Sequence, residues 1–215
     1  MIENCSDIYS SRVFTNVAWN GERYDEFFNL YKFTFPEHTL INMVNPRNVI
    51  DPALREELFY SDLDRAFVLG SIFWVEADHF ETRVHDAELR SRMLRSLKQA
   101  IRVRQAAAPY LAGARFMDDL GLGVPAGLKA SRWKGAHDDL ILVANCEKRP
   151  NLVITLTPLT PAGHAGTPGA GGADVRRGPA QPHLLRGPAD RLEYSFPVPP
   201  AEYSVLRWNG GRSPR

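Results

Sequence analysis

Apolar positions along this chain follow two different rhythms. Up to about residue 109, short apolar runs alternate with segments whose apolar residues recur every three or four positions. Tyr24, Phe27, Phe28 and Tyr31 sit at i, i+3, i+4 and i+7, which predicts one amphipathic helix after Asn20-Gly21. Thr39 to Val44 reads as a short buried strand. Asp51-Pro52 predicts a helix opening, because aspartate caps free amides and proline is pre-set for the first helical position. Leu54, Leu58 and Phe59 supply that helix with an apolar face. The run Ala66 to Val75 predicts a strand buried on both faces, as in a parallel sheet, and it emerges into the polar Glu76-Ala77-Asp78-His79. Asp86 opens the longest helix, with Leu89, Met93, Leu97 and Ile101 on one side. Arg90, Arg92, Arg95, Lys98, Arg102 and Arg104 read as its solvated face, and Pro109 is expected to stop it.

Beyond Gly121-Leu122-Gly123 the period becomes that of strands. Lys129 to Trp133, Asp139 to Asn145 and Asn151 to Thr157 read as three of them. Cys146 to Pro150 is a hairpin-sized connection between the last two. Tyr203 to Trp208 reads as a final strand returning to the sheet. The change of period predicts a domain boundary near residues 109–125, separating a β/α part (1–112) from a β-rich part (113–215). Between about 160 and 190 the chain is mostly Gly, Pro, Ala and Arg, and a disordered or long exposed insertion is expected there. At the other end, Met1 to Tyr9 reads as the tail of a buried strand entering an acidic loop, as though the chain started inside a longer β/α series.

Composition narrows the function classes. The 26 basic and 25 acidic residues leave a net charge of +1, which provides no electrostatic footprint for nucleic acid. Cys5 and Cys146 could pair, but two cysteines without a spacing motif are more often free thiols of a reducing compartment. The N-terminus shows no basic-then-apolar leader. The longest apolar run, Ala66 to Val75, is about half the roughly 20 residues that span a bilayer, so no membrane partner is expected and the chain as written reads as cytoplasmic. His79 and His85 stand beside Asp78 and Asp86 but match no established ligand spacing, so no metal is expected. The serines show no nucleophile-elbow pattern. No glycine loop follows a strand to cradle phosphate either, and no cofactor is expected.

Several stretches resemble, in this order, a group of bacterial glycosidase-like proteins: Glu3-Asn4-Cys5-Ser6-Asp7-Ile8-Tyr9, Phe35-Pro36-Glu37-His38 and Phe67-Val68-Leu69-Gly70-Ser71-Ile72-Phe73. Ile101-Arg102-Val103-Arg104 and Phe116-Met117-Asp118-Asp119-Leu120-Gly121-Leu122 continue the likeness. That group has a (β/α)8 barrel with a C-terminal β-sandwich and is distantly similar to α-galactosidase-type glycoside hydrolases. The likeness covers roughly residues 1–157. It implies the C-terminal portion of a (β/α)8 barrel followed by a small antiparallel β-sandwich domain. Strand ends at Glu3, near Asn42 and at Glu76 would then face the active-site mouth.

The implied activity is glycoside hydrolysis, in which one carboxyl group protonates the leaving oxygen and a second attacks or activates water. The resemblance assigns the catalytic roles to Glu3 and Asp7. It assigns sugar-hydroxyl contacts to Glu76 and Asp78, and flat faces for a pyranose ring to Trp19 and Trp74. Because earlier barrel strands are missing, the competing expectation is a non-catalytic remnant or an accessory module that binds carbohydrate or protein, with self-association through the open barrel edge.

Overall fold

A computed structural model describes residues 13–16, 25–36, 38–136, 138–145, 152–157, 183–185, 194–197 and 202–208. It has a mixed α/β fold that divides into two compact units, Met1–Arg104 and Gln105–Arg215.

The first unit strings together β1 (Val13–Asn16), α1 (Asp25–Thr34), β2 (Thr39–Met43), α2 (Pro52–Val68), β3 (Ile72–Trp74), α3 (Ala77–Arg83) and the start of α4 (Ala87–Leu111). Its sheet has the order β1-β2-β3, and both pairings are parallel, Phe14 lying opposite Leu40 and Met43 opposite Trp74. Parallel strands need a crossover, and α1 and α2 supply the two. The central strand β2 buries Leu40, Ile41 and Asn42 in succession, as a strand covered on both faces must.

Helix α2 begins where the sequence places it. The Asp51 carboxylate accepts from the Ala53 amide at 2.9 Å, and Pro52 occupies the first turn. Its far end corrects the sequence reading. Ala66 to Val68 complete α2 instead of starting a strand, and only Ile72 to Trp74 of the expected run pair with the sheet. Gly70 makes the break with a φ of 61°. The Ser71 amide bonds back to the Ala66 carbonyl and the Gly70 amide to the Phe67 carbonyl, both at 2.9 Å, which is the paired closure of a Schellman end. A ten-residue run that is almost wholly apolar carries no period that separates a buried helix end from a buried strand.

Helix α4 starts at the Asp86 cap, whose carboxylate accepts from the Glu88 and Leu89 amides at 2.8 and 3.1 Å. Leu89, Met93 and Leu97 are buried on it as the spacing predicts, together with Ala100. Its basic residues are not simply a solvated face. Arg90 donates to the Val84 carbonyl, Arg92 pairs with Glu56, and Arg104 donates to the Gly70 carbonyl at the end of α2. Burial holds the Arg104 guanidinium below the usual arginine range. Pro109 does not stop α4 either, since the helix runs to Leu111. Proline removes one amide from the last turn, and the Ala112 amide still reaches the Ala108 carbonyl at 3.0 Å. The turn out of the helix comes at Gly113, with a φ of 77°.

The second unit contains β4 (Arg115–Phe116), β5 (Leu122–Gly123), β6 (Lys129–Lys134), β7 (Asp139–Ala144), β8 (Val153–Leu156), β9 (His183–Leu185), β10 (Tyr194–Pro197) and β11 (Tyr203–Trp208). One sheet has the order β4-β6-β7-β11-β9 and the other the order β10-β8-β5. All pairings are antiparallel except β11 with β9. Ile141 and Val143 of β7, Leu206 and Trp208 of β11, and Ile154 and Leu156 of β8 form one apolar cluster with Leu128, so the two sheets share a core.

The expected hairpin lies one connection earlier. β6 and β7 pair across Gly135 and Asp138, whereas β7 and β8 belong to different sheets. Every residue of β7 is buried, so it takes a neighbour on each side, and β6 and β11 fill those places. Arg132 is fully buried and draws the parts together. Its guanidinium pairs with Asp139 on β7 and donates to the Thr157 carbonyl, just past β8, at 2.8 Å. Most of the Gly/Pro-rich stretch lies outside the described residues. Within it, His183 to Leu185 form β9 rather than insertion.

Candidate functional site at the carboxyl ends of the parallel strands

A parallel sheet points all its strand carboxyl ends to one edge, and the loops after β2 and β3 meet there. The Val44 amide donates to the Trp74 carbonyl at 2.9 Å. The Asn45 side-chain oxygen accepts from the Glu76 amide at 2.8 Å, and Arg83 donates to the Pro46 carbonyl at 3.0 Å. Arg47 holds the same loop from the other side. Its Nε and Nη2 make a forked pair with the buried Asp62 of α2, at 2.8 and 2.6 Å. Both loops are therefore fixed by side chains that reach across sequence.

Glu76, Asp78 and His79 converge at this edge, one donor atom from each lying within 4.8 Å of the others. Glu76 occupies the cap position of α3 without capping it, which leaves its carboxylate free to turn to His79. Glu76 Oε2 is 2.9 Å from His79 Nε2, and Arg83 Nη2 lies 2.8 Å from the same nitrogen. The His79 Nδ1 is buried and has no hydrogen-bond partner among the described residues. Asp78 is exposed, and its carbonyl accepts from Thr82 Oγ1 at 2.8 Å. Asn42 of β2 is 4% exposed, and its side-chain oxygen has no partner among the described residues. Such an arrangement can hydrogen-bond hydroxyl groups, exchange a proton between carboxyl and imidazole, or present N and O donors to a cation.

Of the residues assigned from sequence, Glu3, Asp7 and Trp19 lie outside the described residues. Trp74, Glu76 and Asp78 are placed, Trp74 half-buried on β3 in register with Met43. Sequence reading missed His79 as a partner of Glu76, along with Arg83 and Asn45, whereas the strand end near Asn42 was expected at this mouth. The signal for the first two was the spacing: positions 76, 79 and 83 are three and four apart, so they share a face once α3 forms. Of the four residues His79, His85, Asp78 and Asp86 whose spacing matched no ligand pattern, His79 and Asp78 lie together with Glu76, whereas Asp86 caps α4. No helix among the described residues is long and apolar enough to cross a membrane. Comparison with family models, with characterised proteins and with solved structures returns no match.

Proposed function

We propose that the chain carries the last β/α steps of a (β/α)8-barrel glycoside hydrolase and, after them, an antiparallel β-sandwich. The observation that carries this reading is the β1-α1-β2-α2-β3 series. Its parallel strands gather Asn42, Asn45, Glu76, Asp78 and His79 at one carboxyl edge, where barrel enzymes keep their chemistry. The shared core of the two antiparallel sheets supports the sandwich half. The resemblance of the Glu3 to Tyr9 stretch to glycosidase-like proteins supplies the catalytic carboxyl pair, Glu3 and Asp7. In this reading Glu76 and Asp78 bind sugar hydroxyls, and Trp74 and Trp19 offer ring faces.

A second reading belongs to another class: a non-catalytic carbohydrate- or protein-binding module. It is favoured by the parallel sheet of the first unit, which has three strands among the described residues where a closed barrel has eight. Self-association through β1 or β3, the outer strands of that sheet, belongs with it.

One experiment separates the two. The chain is incubated with a panel of aryl glycosides and oligosaccharides and, in parallel, applied to a glycan array. Hydrolysis that Glu3→Gln abolishes, with KM raised about tenfold by Glu76→Gln through loss of one charged hydrogen bond, supports the hydrolase. Glycan binding without turnover supports the module, and neither result removes carbohydrate from the account.

A further inference from the structure

We propose that Asn42 is a ligand-contacting residue whose side-chain amide hydrogen-bonds a hydroxyl group of a neutral sugar at the carboxyl edge of the parallel sheet. The strand around it is apolar, Leu40-Ile41-Asn42-Met43-Val44, and Asn42 is the one polar residue buried within β2. Side chains alternate along a strand, so Asn42 shares a face with Leu40 and Val44, which are 2% and 0% exposed. Its register partner on β3 is Phe73. In these apolar surroundings its Oδ1 has no hydrogen-bond partner among the described residues. An unmatched buried amide lowers stability where a leucine or valine would raise it. A residue that breaks the local pattern at a loss of stability marks a functional position.

The position suits a ligand. Asn42 comes three residues before Asn45, whose side chain holds the Glu76 amide, so it stands where β2 runs into the loops that form this edge. The chemistry suits a hydroxyl. A primary amide presents an oxygen acceptor and N–H donors in one plane. A carboxylate or phosphate only accepts and would leave Oδ1 unmatched, and an ammonium only donates and would leave the N–H groups unmatched. A hydroxyl group does both. The choice of a sugar rests on the carbohydrate reading above, whereas the unmatched amide is independent of it. Ser71 is the comparison: it is 1% exposed and its Oγ is also unmatched among the described residues, but it lies at the amino end of β3.

The test uses the full chain and two readouts. Denaturant midpoints are compared for the parent, Asn42→Leu and Asn42→Val, and at least one apolar variant is expected to unfold at a higher midpoint. Binding of the methyl glycosides of glucose, galactose and mannose, and of their monodeoxy analogues, is then measured by titration calorimetry. The parent is expected to prefer one glycoside over one of its deoxy analogues by at least about tenfold, because removing the hydroxyl leaves the amide unmatched again. Both Asn42 variants should lose that preference, and Ser71→Ala should keep it. A lower midpoint in both Asn42 variants overturns the proposal, since the amide would then be matched, by a bound water for example, and serve the fold. A preference retained in those variants removes Asn42 from the contact and leaves the carbohydrate reading standing. No binding by the parent up to ~10 mM removes the sugar itself, and both fall together.

Discussion

Gly70 shows how much one residue decides. In sequence it interrupts a run of ten residues that is otherwise almost wholly apolar, and a glycine there argues against a helix. In the structure its φ of 61° is what allows α2 to finish and β3 to begin within three residues. A β-carbon at that φ is strained, so Gly70→Ala is expected to lower stability by about 1–2 kcal/mol, read as a drop in the denaturant midpoint at unchanged slope. An unchanged midpoint would mean that the Schellman closure does not depend on the left-handed residue. His79 makes the same point from the functional side. It gains a role only when α3 brings residues three before and four after it onto one face.

At the scale of the element, the beginnings of α2 and α4 were legible, whereas α3, the helix ends and the strand partners were not. Asp51-Pro52 and Asp86 announce α2 and α4, because a cap is local chemistry between a carboxylate and amides two or three residues on. The bonds from the Leu89 and Glu88 amides hold the Asp86 carboxyl below its ordinary range. A depressed carboxyl contributes stability that is present above its unfolded value and is lost as pH falls through the folded one. Asp86→Ala should therefore melt below the parent at about pH 7, and the gap should close as pH drops below about 4. A gap that persists in acid would assign the effect to something other than the charged cap. Strand partners were harder. β7 and β8 are neighbours in sequence yet belong to different sheets, since a strand buried along its whole length is paired by whatever lies on both sides. Strands as short as Arg115–Phe116 and Leu122–Gly123 leave no period to read.

At the scale of the molecule, two compact units, each with buried apolar residues of its own, divide the chain between residues 104 and 105, inside α4. The second is knit by the Arg132–Asp139 pair and the cluster around Ile141, Val143 and Leu206. The first is knit by Phe59, Leu63 and Phe67 of α2, with Phe59 packed edge-on to Phe80 at 5.7 Å. Units with their own cores tend to unfold separately, so calorimetry should give a van't Hoff enthalpy well below the calorimetric one. Equal enthalpies would show a single cooperative fold.

The sequence by itself determined what depends on neighbours within a few residues: the caps at Asp51 and Asp86, the buried stripe of α4, strands β2, β6, β7 and β11, and the polar emergence at Glu76 and Asp78. Those features follow from local hydrogen bonding and from the period of apolar residues, both of which are written along the chain. The tertiary structure alone decided what depends on distant residues meeting. It joined the loops after β2 and β3 through Asn45, Arg47 and Arg83, gave His79 two charged neighbours, and paired β7 with β11 across more than fifty residues. Those outcomes are set by which surfaces exclude water together, and no local pattern records that choice.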